Sequence, residues 1–204
     1  MKRLITIGRQ FGSGGSEIGT ALSEELGIKC YDKEILFEAA KKSGMCEAVA
    51  SQYDERGQQS FLYSLATTGY FGNHMDYQPI NAKLYGAQFQ LIRSIADEDK
   101  SSIFIGRCAD YVLDDREELV KIYITADLDY RVKRVSEKYK VNEAEALKLI
   151  QRRDKQRASY YNFYTSKKWS DVSSYDLCIK SGKVGITGAV QLILNYLNLE
   201  DSAK

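Results

Sequence analysis

"ITIGRQFGSGGSEIG", residues 5–19, decides how the rest of the chain is read. An apolar run, Leu4 to Ile7, leads into a turn with glycine at 12, 14 and 15 and then into the helical spacing Ile18, Leu22, Leu26. A strand, a glycine-rich turn and a helix in that order point backbone N–H groups at one spot, where the helix dipole adds positive charge, and that geometry binds phosphate. The usual form of such a loop is G-x-x-x-x-G-K-[ST], with the lysine on the outer phosphates and the hydroxyl on magnesium. With Gly14 on the second glycine, Arg9 falls on the first glycine, Gly15 on the lysine and Ser16 on the hydroxyl residue. The lysine is therefore missing. Gly12, Gly14 and Gly15 still permit positive φ and close approach of a phosphate, and Ser16 can cap the helix and reach a magnesium ion. Arg9 can supply a cation through a guanidinium fork suited to phosphate oxygens. The plain alternative is a flexible strand-to-helix turn without a ligand.

Working outward, short runs rich in β-branched residues recur at 28–31, 103–105, 120–125 and 177–179, as buried strands of a parallel sheet do. Amphipathic stretches alternate with them, at 17–26, 33–42, 82–96, 128–139, 143–157 and 186–197. Strand alternating with helix predicts an α/β fold, with any ligand at the carboxyl edge of the sheet. A length of 204 residues suits one substantial core, so residues 1–204 are expected to form one domain with an insertion.

Charge is nearly balanced, 29 basic against 28 acidic residues, so an anion site has to be local. The first residues enter a strand directly, without the pattern of a secretory signal, and no run approaches the ~18 apolar residues of a membrane span. A soluble cytoplasmic protein is expected. Cys30, Cys46, Cys108 and Cys178 lack paired spacing and are expected to be buried free thiols rather than a zinc site or disulfides.

Two regions break the rhythm. Residues 46–79 are polar and aromatic without a strand pattern, and are expected to form an inserted helical or flap region, either closing on substrate or merely elaborating the surface. His74, the single histidine, falls there and reads as a loop residue. The second region, "RRDKQRASYYNFYTSKKW" (152–169), is read as following a helix, and its basic and aromatic residues could contact single strands. The near-zero net charge counts against nucleic acid as a partner. The fifteen tyrosines are core or subunit-interface candidates, which leaves a homo-oligomer open.

Taken together, "ITIGRQFGSGGSEIG" (5–19), "YDKEIL" (31–36), "IFIGRCADYVL" (103–113), "KIYITADLDYRVKRV" (121–135), "RRDKQRASYYNFYT" (152–165) and "YDLCIKSGKVGITGAVQLI" (175–193) resemble the cytidylate kinase-like family, P-loop kinases related to bacterial cytidylate kinase. Members of this branch look similar in having glycine where the lysine is expected. The resemblance implies a five-stranded parallel sheet flanked by helices, a helical acceptor-binding insertion after the second strand, and a lid near the fourth and fifth strands, here 142–169. It implies that Asp32 and Lys33 open the acceptor side. The family pattern D-G-R-D is matched only by Gly106 and Arg107, with Ile105 and Cys108 in place of the acids, and Arg107 is the candidate for the acceptor phosphate. The lid pattern R-D-x-x-D-x-x-R is matched in its second half by Asp154 and Arg157, which stand three apart so that the carboxylate can orient the guanidinium.

The activity this implies is transfer of the γ-phosphate of ATP, with Mg2+, to a small acceptor, best a nucleoside monophosphate of the CMP or dCMP kind. Gly12, Ser13, Gly14, Gly15 and Ser16 would cradle the donor, Ser16 would hold magnesium, and Arg9, Arg153 and Arg157 would neutralise developing charge. Arg107, Asp32 and Lys33 would place the acceptor. A kinase for another small metabolite, and a nucleotide-binding regulatory protein without turnover, fit the same loop.

Overall fold

The computed structural model describes residues 2–32, 35, 78–98 and 100–202. The chain forms two compact units, residues 1–30 together with 99–204, and residues 31–98. The insertion expected over 46–79 falls, apart from its last two residues, outside the described residues, and so do Lys33, Cys46 and His74.

Five strands form one parallel sheet: β1 (Leu4–Arg9), β2 (Lys29–Tyr31), β3 (Ser102–Ile105), β4 (Leu119–Thr125) and β5 (Leu177–Lys180), in the order β2-β3-β1-β4-β5. Leu4, Ile5, Thr6 and Ile7 are all buried, because a central strand is covered on both faces and so reads as a continuous run rather than an alternation. The registers Ile5↔Ile103, Ile7↔Ile105, Ile5↔Val120 and Ile7↔Ile122 stack these β-branched side chains into one core. The chain moves outward from β1 to β2, returns to β3, then crosses β1 to reach β4. That reversal opens a crevice at the carboxyl ends of β1, β3 and β4.

Helix α1 (Gly15–Leu26) buries Ile18, Gly19 and Leu22 on the sheet. Gly19 allows the close approach, since a Cβ there would stand 2.3 Å from Ile105 Cδ1. Gly27 ends the helix in the left-handed conformation, its N–H returned to Glu24 O. In the second unit, α2 (Gln78–Asp97) buries Gln88, Ile92 and Ala96 at four-residue spacing. Helix α3 (Ala109–Val112) is a single turn after β3. Helices α4 (Leu128–Tyr139) and α5 (Glu143–Thr165) form a hairpin around Val135, Ala146 and Ile150, and an Asn142–Glu145 capping box starts α5. Helix α6 (Ser181–Ser202) is kinked at Gly185 and lays Ala189, Ile193 and Leu197 into the core shared with α1.

Two corrections follow. The helix expected to end at Arg157 continues to Thr165, so most of the basic and aromatic stretch lies on α5 rather than after it. Its stripe runs Ala146, Ile150, Asp154, Arg157, Tyr161, Thr165, and the polar pair in the middle hides the continuity. Among the thiols, Cys108 is buried and Cys30 half-buried, but Cys178 is exposed, because β5 is an edge strand. Among the described residues no helix is long and apolar enough to cross a membrane.

Candidate phosphate-binding site

The loop between β1 and α1 is held from three sides. Gln10 closes onto the end of β4: its N–H donates to Ile124 O at 3.0 Å, and its Oε1 accepts from Thr125 Oγ1 at 2.5 Å and from Ala126 N at 3.2 Å. The fully buried Ser181, first residue of α6, donates to Ser13 O at 2.6 Å and also faces Thr125 O at 3.2 Å. Gly12 and Gly14 have φ of 83° and 81°, a conformation costly for residues with a Cβ. Gly14 is the N-cap of α1, with no side-chain cap, so Ser16 sits inside the first turn and does not cap the helix as expected. Among the described residues the N–H groups of Gly14, Gly15 and Ser16 meet no protein acceptor, and neither does the Ser16 hydroxyl.

Gly15 is a glycine for a different reason. It lies in the helix, not in the left-handed region, but a Cβ there would stand 2.5 Å from Arg9 Cβ and 2.9 Å from Arg9 Cγ. The stem of Arg9 fills the space in which a lysine at position 15 would begin. Farther along, Arg9 Nη1 lies 1.9 Å from where a Gly106 side chain would start, so the guanidinium crosses from the end of β1 to the end of β3.

There Gly106, Arg107 and Cys108 follow one another with φ of 67°, 60° and 55°. Two consecutive non-glycine residues in this region cost about 1–2 kcal/mol each, and such strain concentrates at functional corners. Arg107 thereby follows β3 in the turn whose glycine the Arg9 guanidinium reaches. Cys108, where the D-G-R-D pattern has an acid, is 3% exposed, and burial drives its thiol pKa up, so it is an inert packing group.

Helix α5 supplies the remaining wall. Asp154 Oδ1 accepts from Phe11 N at 2.7 Å, and Asp154 Oδ2 pairs with Arg131 Nη1 at 2.6 Å. The same Arg131 nitrogen donates to Phe11 O at 3.3 Å. Asp154 thus orients the loop and the buried Arg131 of α4, not Arg157 as the one-face spacing suggested. Arg157, one turn on, donates to Arg9 O at 2.8 Å and lies over the Phe11 ring at 5.6 Å. Arg153 is half-buried on the same helix. Arg134 of α4 reaches to 3.4 Å from the Cβ position of Gly14 and is held by Glu17 at 2.7 Å, with Lys138 on the other Glu17 oxygen at 3.0 Å. Burial pushes the Glu17 pKa up, but these two cations outweigh it and hold the carboxylate below its ordinary value.

The model of the cytidylate kinase-like family matches residues 4–183. The chain belongs to the cytidylate kinase-like family. This membership places it among phosphotransferases. A curated cytidylate kinase of Methanothrix thermoacetophila is 29% identical over 191 residues, covering 94% of this chain and 95% of that relative. One from Methanococcus vannielii is 28% identical over 194 residues, covering 93% and 97%. A crystal structure of an uncharacterized protein from Eubacterium ventriosum, 33% identical, superposes with a TM-score of 0.73 over 97% of this chain and 99% of its own. Shikimate kinase from Bacteroides thetaiotaomicron shares the fold at 13% identity, with a TM-score of 0.56 over 96% and 98% of the two chains.

Within this cytidylate kinase-like frame, the structure brings together Arg9, residues 12–16, Arg107, Asp154 and Arg157 around the ends of β1 and β3. Asp32 is half-buried and belongs to the second unit. Sequence analysis missed Gln10, Arg131 and Ser181. Arg131 left a trace, since it stands on the same stripe of α4 as Leu128 and Val135, where an arginine is out of place without a buried partner. Gln10 and Ser181 act on groups distant in sequence, which leaves no local pattern.

Proposed function

We propose that this cytidylate kinase-like protein transfers the γ-phosphate of ATP to a small phosphorylated acceptor, a nucleoside monophosphate of the CMP or dCMP kind. The observation that supports this reading is the path of Arg9 across the loop. The arginine stem excludes a side chain at Gly15, and its guanidinium lies at Gly106 next to Arg107. In this reading these cationic groups serve the boundary between the donor loop and the acceptor side, where charge builds up as the phosphoryl group moves.

In this reading the free amides of Gly14, Gly15 and Ser16 receive the donor phosphates, with Gly12 and Ser13 shaping the loop. Arg9, Arg153 and Arg157 stabilise the migrating group, and Arg107 clamps the acceptor phosphate. Asp154 contributes by holding the loop and Arg131 in register. The Ser16 hydroxyl, without a hydrogen bond among the described residues, fits a magnesium ion that keeps most of its coordination from phosphates and water. Such an ion would offset charge on the β- and γ-phosphates. The described residues contain no group of three side chains able to hold a metal by themselves.

The test is a coupled assay of ADP release with CMP, dCMP, UMP and AMP at high enzyme concentration. Turnover with a pyrimidine monophosphate is expected, and no ADP release with any of the four would overturn the proposal.

A further inference from the structure

The strained corner at Gly106–Cys108 needs something to hold it. Its backbone bonds include Gly106 N to Ile7 O of β1 at 3.1 Å, Ala109 N to Gly106 O at 3.1 Å, Tyr111 N to Cys108 O at 3.0 Å and Val112 N to Cys108 O at 2.8 Å. A side-chain bond also reaches the corner from helix α5. Tyr161 Oη, on a side chain only 6% exposed, donates to Asp110 Oδ2 at 2.7 Å. Asp110 stands three residues beyond Arg107, and Tyr161 stands one helical turn beyond Arg157.

Helix α5 therefore touches the site in three successive turns: Asp154 on the phosphate loop, Arg157 on Arg9 O, and Tyr161 on the turn that follows Arg107. The first two attachments lie on the donor side. The third lies beside the residue proposed to take the acceptor phosphate, so one rigid helix spans both.

We propose that Tyr161 and Asp110 are positioning residues, whose hydrogen bond keeps the left-handed corner formed and so fixes Arg107 relative to Arg157. The positioning of the acceptor rests on the kinase proposal above. The holding of the corner does not.

Two measurements separate these parts. In Tyr161→Phe, hydrogen exchange at the Ala109 and Val112 amides is expected to rise at least tenfold, while the Phe11 amide is unchanged. In steady-state kinetics with ATP and CMP, the same variant is expected to lose about tenfold in kcat/KM for CMP, with KM for ATP within twofold of the parent. Asp110→Asn keeps an oxygen acceptor and should retain most of both properties, whereas Asp110→Ala should match Tyr161→Phe, and the double variant should be no worse than either. Unchanged exchange at the corner, or a uniform rise at all amides, would overturn the proposal by making the bond an ordinary stability contact. Altered exchange with an equal loss toward ATP and CMP would overturn the positioning of Arg107. If the parent enzyme turns over no monophosphate, the kinase proposal falls, and the exchange result still decides whether this bond holds the corner.

Discussion

A glycine can be required by the angle it adopts or by the space it leaves empty, and neighbouring positions in the phosphate loop separate the two. Gly14 has φ of 81°, whereas Gly15 is helical and confronts Arg9 at 2.5 Å. Restoring the common pattern with Gly15→Lys is therefore expected to damage the protein. Overpacking of this kind costs about 1–3 kcal/mol, so thermal melting should move down and turnover should fall. Adding Arg9→Ala empties the stem's volume, and the double variant should melt above the single one and regain part of the turnover. A Gly15→Lys variant as stable and active as the parent would show that Arg9 does not occupy the lysine's place. Sequence spacing already singled out Arg9, because it stands in the register of the loop. The exclusion between the two side chains was not legible, since it depends on the path of Arg9 toward a glycine ninety-seven positions later.

At the level of elements, α5 matters most. Removing the Asp154 carboxylate leaves Arg131, 8% exposed, without its charged partner, and breaking such a buried pair costs about 3–5 kcal/mol. Asp154→Ala is accordingly expected to lose stability of that order in chemical denaturation, together with nucleotide binding. Arg131→Met in the same chain should recover much of the stability but not the binding. Helix α1 is tied to α4 by Glu17, whose carboxylate is held below its ordinary pKa by Lys138 and Arg134 against the opposing effect of burial. A lowered folded-state pKa adds stability that is present above the ordinary glutamate pKa and lost as pH falls through the lowered value. The melting temperature of Glu17→Gln should thus lie slightly below the parent's at pH 7, and the gap should close below about pH 4.3. The pair is partly exposed, so the gap should also shrink with salt. The extent of α4 was readable because its amphipathic spacing is regular, while the last two turns of α5 were not, because Asp154 and Arg157 interrupt its apolar stripe where it crosses the loop.

For the molecule as a whole, the sheet order places the phosphate loop, the Arg107 corner and the first turn of α6 along one edge. Binding there should stabilise the fold of residues 1–30 and 99–204 by mass action. At a ligand concentration one hundred times Kd the gain is about 2.7 kcal/mol, which for a chain of this size corresponds to a rise of roughly 5–10 °C in Tm. Scanning calorimetry with magnesium and ATP is expected to show this rise in the parent, a smaller one in Arg9→Ala, and none with adenosine. The central strands stood out in the sequence as apolar runs because burial on both faces leaves no alternation, whereas the edge strands β2 and β5 keep exposed residues and are not the buried strands expected from their sequence. The order of the sheet was not legible, since hydrophobic pattern carries no information on which strands are neighbours.

The fit of Arg9 between two glycines also bears on how this protein arose. An ancestor gaining bulk at position 15 or 106 while the arginine remained would have jammed its own loop, and one losing the arginine first would have been left with a hole and one cation fewer. The three positions are therefore expected to change together among relatives, and a search by that trio should recover chains that a pattern with a compulsory lysine passes over.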